Sequence, residues 1–81
     1  MENRATISLQ NIDHLALFGH NDQNIAQIEK DYRVSLTVRD GQANLKGPED
    51  SVQQASGLLR HLIRRARKGP AIGSEELKTL I

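Results

Sequence analysis

The stretch Leu17-Phe18-Gly19-His20-Asn21-Asp22-Gln23-Asn24-Ile25 holds the residue types and spacing with which this chain could do chemistry. Gly19 has no Cβ, so a ligand can approach its backbone closely. A helix starting just after it presents amides with no intrahelical partner, and such a terminus attracts phosphate or another anion. His20, Asn21 and Asn24 add polar side chains to that place. Asp22 is positioned as the helix N-cap, its side-chain oxygen accepting from first-turn amides, and its charge opposes a phosphate there. The same residues also make an ordinary joint between two helices, a C-cap glycine followed by an N-cap aspartate, with His20 solvated. Both readings stand at this point.

Arg60, Arg64, Arg65, Arg67 and Lys68 form the densest basic cluster. Cations near a helix C-terminus are favoured by the helix dipole, typically by about 0.3–1 kcal/mol each; a nucleic-acid or protein-docking surface is the sharper reading. His14, His20 and His61 lack a metal-ligand spacing, and no serine, histidine and acid fall into a nucleophilic pattern. Glu29, Asp31 and Glu49 read as solvated helix charges. The residues therefore predict no catalytic group and no metal site. Gly41 to Gly47 does not make a phosphate-binding P-loop: its spacing is wrong and Pro48 stands where the lysine belongs.

The elements that must position these groups follow from the hydrophobic pattern. Ala5 to Gln10 alternates as a strand with Ile7 and Leu9 inward. Asp13 caps a short helix, 14–18, that ends at Gly19, and a second helix runs from Gln23 to Tyr32 with Ile25, Ile28 and Tyr32 on one face. Arg33 to Arg39 and Gln42 to Lys46 are strands joined at Asp40-Gly41, a dipeptide suited to the positive φ angles of a type I′ turn. Their outward residues, with Thr6 and Ser8, are all polar, so helices should cover one face of the sheet and water the other. Pro48 opens a long helix with an apolar stripe of Val52, Ala55, Leu59, Leu62, Ile63 and Ala66. Gly57 inside that helix predicts close approach by another helix. After Gly69-Pro70, Ala71-Ile72-Gly73 reads as a linker and Ser74 as the cap of a final segment.

Composition bounds the rest. Eighty-one residues make one small domain with a modest core, and the absence of cysteine removes disulfides and thiolate zinc sites. With Phe18 and Tyr32 the only aromatics, stacking platforms for bases are not expected. A net charge of +1 leaves any attraction for nucleic acid to the distribution of charge. No apolar run reaches membrane-spanning length and the start Met1-Glu2-Asn3-Arg4 is unlike a signal peptide, so the expectation is a soluble, cytoplasmic α+β domain without a membrane partner.

The order strand, helix, glycine turn, helix, strand, strand, helix is similar to the type I KH fold (β-α-α-β-β-α, a three-stranded sheet with helices on one face), in which a G-x-x-G loop clamps a sugar-phosphate backbone. The likeness covers about residues 5 to 68. Leu17 to Ile25, Ile28-Glu29, Tyr32-Arg33-Val34, Leu45-Lys46-Gly47, Val52 and Ala55 together resemble the N-terminal domain of PhoH-like proteins. That resemblance implies a KH-like domain over 1–68. It also implies a segment, 69–81, leading to a P-loop ATPase domain that would hold ATP and Mg, and a role in RNA metabolism. This stretch would then be a non-catalytic accessory domain binding single-stranded RNA through Gly19, His20, Asn21, Asp22, Asn24, Arg64 and Arg65. The alternative is an interaction or assembly module docking on the ATPase or on a homo-oligomer of the intact protein, with no RNA binding of its own. Two features depart from a KH clamp: Asp22 stands at the second glycine, and Asp40-Gly41 leaves almost no loop between the last strands.

Overall fold

The structure, a computed structural model, describes residues 2–69 and 72–81, with the side chains of His20 and Ser74 left outside that description. Strand β1 (Glu2–Ser8) is followed by helix α1 (His14–Phe18), a short 3-10 turn (His20–Asp22) and helix α2 (Gln23–Tyr32). Strands β2 (Ser35–Arg39) and β3 (Gln42–Pro48), then helices α3 (Glu49–Lys68) and α4 (Ser74–Leu80), complete the order. The three strands form one antiparallel sheet in the order β1-β3-β2, with β3 central.

The hairpin forms as the dipeptide dictates. Asp40 and Gly41 both take positive φ, 53° and 73°, which pairs Arg39 with Gln42 and fixes the register of β2 on β3. Both outer strands differ from expectation in extent. β1 begins at Glu2, and its early start gives Gly47 and Pro48 partners that extend β3. β2 begins two residues late because Arg33 adopts a left-handed conformation (φ 57°, ψ 45°) that terminates α2. Gly47 fits this corner for lack of a side chain: a Cβ there would lie 3.2 Å from the Arg33 carbonyl oxygen and from Val34 Cγ1.

One sheet face is covered and the other is wet. Ile7, Leu36, Ala43 and Leu45 are buried beneath the helices, with α3 lying over β1 and β3 and α2 beside β2. Arg4, Thr6, Ser35, Thr37, Arg39, Gln42 and Lys46 are exposed on the far face, where Thr6 Oγ1 donates to Asn44 Oδ1 at 3.1 Å. On α3 the buried residues are Val52, Ala55, Ser56, Leu58, Leu59, Leu62 and Ile63; Ala66 packs against them half-buried, and Leu58 and Ser56 broaden the expected stripe. No helix among the described residues is long and apolar enough to cross a membrane.

Two expectations are corrected here. Gly57 is not approached by another helix: it is exposed, and a Cβ built on it meets nothing within 4 Å. The tail is not a linker throughout. Ile72 and Leu77 are 1% and 0% exposed, and burying two such side chains contributes about 1.5–3 kcal/mol each. The Ile72 amide donates to the Ala16 carbonyl at 2.9 Å, and Arg65 pairs with Glu76 through Nε to Oε2 (2.7 Å) and Nη2 to Oε1 (2.9 Å). Residues 72–81 are thus built into the domain. Pro70, the expected helix stop, Ala71, and the Ser74 side chain, the expected cap, lie outside the described residues.

Two outcomes follow from this packing. Gly57→Ala should raise the unfolding free energy by about 0.5–1 kcal/mol, read from urea denaturation at low protein concentration, because the methyl meets open space while the unfolded chain loses freedom. Tyr32, half-buried, has its phenol pushed above the usual tyrosine value, first by burial and then by Asp31 beside it. A raised folded pKa means stability that is whole below about pH 10 and lost as pH rises through the folded pKa. Denaturation curves from pH 8 upward should fall more steeply for the wild type than for Tyr32→Phe.

Candidate nucleic-acid interface

The Gly19 turn is built by two short-range devices and one long-range one. Asp13 Oδ1 accepts from the Leu15 amide at 3.0 Å and starts α1, and the Gly19 amide closes it on the Leu15 carbonyl at 2.9 Å. Gly19 then takes φ 78°, ψ −179°, a combination open essentially to glycine alone. Gly19 is buried, and the space where close approach of a ligand was expected is taken by Gln23, whose Cγ and Nε2 would lie 3.1 Å from a Cβ there. Asn21 (φ 55°, ψ 30°) and Asp22 (φ 55°, ψ 32°) follow in the left-handed region, which Asn and Asp enter more readily than most residues.

This backbone overturns the capping role expected of Asp22. An N-cap that accepts from first-turn amides normally has extended φ and ψ. Left-handed Asp22 instead makes no side-chain cap bond, and its own amide donates to the Gly19 carbonyl at 3.3 Å. The start of α2 thus carries no side-chain cap from Asp22, and the 3-10 turn His20–Asp22 runs directly into it. Asn21, Asp22 and Gln23 are exposed there. His20 belongs to the 3-10 turn by its backbone, while its side chain lies outside the described residues.

Asn24 does something other than face a ligand. It is 0% exposed, and its Nδ2 donates to the Leu17 carbonyl at 3.1 Å and to the Ile72 carbonyl at 3.1 Å. Its Oδ1 is buried with no hydrogen-bond partner among the described residues. Asn24 is a positioning residue, tying the end of α1 and the start of α2 to the chain before α4. A polar residue at the second position of a helix beside an apolar face was the available signal, but its second partner lies 48 positions away.

The cations stand apart from the turn. Arg64 and Arg65 line a shallow recess with His61 and Lys68, and none of the turn residues lines it. Arg65 is committed to Glu76, so it is no free phosphate contact, whereas Arg64 is exposed. Glu29 is also not merely solvated: its Oε2 accepts from the Leu36 amide at 3.0 Å. That bond occupies an outward amide of edge strand β2, a position otherwise open to pairing with another strand. Among the described residues no group of three or more His, Cys, Asp or Glu side chains is gathered as a metal site would need.

Comparison with protein-family models, curated proteins and solved structures returned no match.

Removing the Asn24 amide tests how the turn is held. Asn24→Ala should cost about 1–3 kcal/mol for each carbonyl left without a donor, measured by urea unfolding. Asn24→Asp should cost more, because a carboxylate would face the same two carbonyls in a buried place. A loss under about 0.5 kcal/mol for either variant would show that these bonds do not hold the turn.

Proposed function

We propose that the chain is a KH-like, non-catalytic module that grips the phosphate backbone of single-stranded RNA at the Gly19–Asp22 turn. The single observation carrying this reading is the left-handed Asp22, whose carboxylate makes no cap bond to α2. Left-handed φ is also what glycine supplies most readily, so position 22 has the backbone that the second glycine of a G-x-x-G loop would take. Leu15, 59% exposed one turn before Gly19, offers an apolar surface on which a base can pack. Glu29, seated on the Leu36 amide, directs contact to the turn and away from the β2 edge.

The order of elements and the antiparallel sheet support the type I KH reading. The PhoH-like resemblance supplies the wider setting: a cytoplasmic protein with a P-loop ATPase domain, holding ATP and Mg, to which this module presents RNA. In that setting exposed Asn21 is the contacting residue, buried Gly19 shapes the turn, Asn24 holds it in place, and Arg64 is a cation of a separate recess. Neutralising Asp22 then becomes the natural way to strengthen the grip.

The test uses short single-stranded RNA and fluorescence anisotropy over a salt series. Affinity should fall steeply with salt, as phosphate contacts require. Asp22→Gly should bind about three- to tenfold more tightly, and Asn21→Asp, which keeps a left-handed-tolerant residue and adds a charge, should bind weaker by a similar factor. These variants replace any substitution at Gly19, whose φ and ψ admit no side chain without strain. Binding that is undetectable at low salt, for the wild type and for Asp22→Gly alike, would contradict the proposal and favour the assembly module.

A further inference from the structure

Gly57 lies in the middle of the 20-residue helix α3, exposed, with open space where a Cβ would be. A glycine in a helix interior costs about 1 kcal/mol relative to alanine. Nothing within the chain uses the room it leaves. An exposed stripe runs through it at spacings of four and three: Asp50, Gln54, Gly57, His61 and Arg64. Asp50 precedes Gly57 by seven residues and Arg64 follows it by seven. Seven residues are about 10 Å of helix and nearly two full turns, so both charges lie on the glycine's side. Neither has an ion pair among the described residues, where the pairs are Lys46 with Glu2 and Arg65 with Glu76.

We infer that this face of α3 pairs with a second copy of the chain, antiparallel, about a two-fold axis at Gly57. The stripe is complementary to itself in that arrangement alone. Asp50 faces Arg64 of the partner subunit, Gln54 faces His61 of the partner subunit, and the two glycines meet at the crossing. A two-fold contact repeats each pairing, so one matched charge pair counts twice. The missing Cβ lets the two backbones come close where the helices cross. Gln54, Gly57 and His61 themselves line an open recess with Tyr32, Leu80 and Ile81, and Ile81 is 41% exposed. An acid on the same stripe argues against a polyanion as the occupant. The pairing lies on a face separate from the Gly19 turn and does not depend on RNA binding there.

An acid early and cations late in a helix are also favoured by its own dipole, and a charge swap separates the two effects. Sedimentation velocity over a concentration series should show the wild type in monomer–dimer exchange. Asp50→Arg and Arg64→Asp should each weaken association about tenfold or more, since each turns two attractive pairs repulsive. The double variant Asp50→Arg/Arg64→Asp should restore association, although both of its charges then oppose the dipole. Gly57→Leu should leave a helical monomer by circular dichroism; if it fails to fold, the charge-swap set decides by itself. A wild type that stays monomeric throughout, or a double variant no better than the singles, overturns the inference.

Discussion

One side-chain amide, that of Asn24, joins three parts of the chain that local sequence alone would leave independent. Its two donors reach the carbonyl of Leu17 near the end of α1 and the carbonyl of Ile72, and its own position fixes the first turn of α2. Inside a low-dielectric core such bonds are strong, and the groups they satisfy are costly to leave open. The Gly19 turn is therefore held from within by a residue that never reaches the surface. Its outer side carries the exposed residues Asn21, Asp22 and Gln23. A turn fixed in this way needs no ordering when a ligand arrives, which is the general advantage of a preorganised site.

The charges around the turn work in opposite directions. The N-terminal end of a helix such as α2 favours an anion. Asp22 opposes one through its charge, yet its left-handed backbone keeps the carboxylate from taking the anion's place. The basic end of α3 does not offset Asp22 directly, because Arg65 is spent on α4 and Arg64 lines a different recess. Binding at this turn is thus expected to be modest and sensitive to that one carboxylate. The two edges of the sheet are also treated differently, since β2 is guarded by Glu29 while β1 has only its pairing to β3.

Much of the fold was legible from short-range rules. Alternation gave β1, β2 and β3, Asp13 and Gly19 bracketed α1, and Asp40-Gly41 set the hairpin, because each depends on residues close in sequence. What escaped was long-range or conformational. Asp22 has the chemistry of an N-cap, and only the backbone, left-handed at both Asn21 and Asp22, prevents it from acting as one. The tail read as a linker because Gly69-Pro70 breaks the helix, while the burial of Ile72 and Leu77 depends on partners from the first third of the chain. Asn24 and Glu29 looked like surface residues for the same reason: each finds its partner across the fold. Gly57 signalled a close approach that the single chain does not make.

The turn is pinned from inside by Asn24 and exposes Asn21, Asp22 and Gln23 on its outside. A two-dimensional amide spectrum, followed while a short single-stranded RNA is added, reads both properties at once. The account predicts that backbone amides from Gly19 to Ile25 shift progressively, while the side-chain amide of Asn24 keeps its position and exchanges slowly with water. Unmoved turn amides alongside shifts elsewhere, or a rapidly exchanging Asn24 side chain in the free protein, would contradict it.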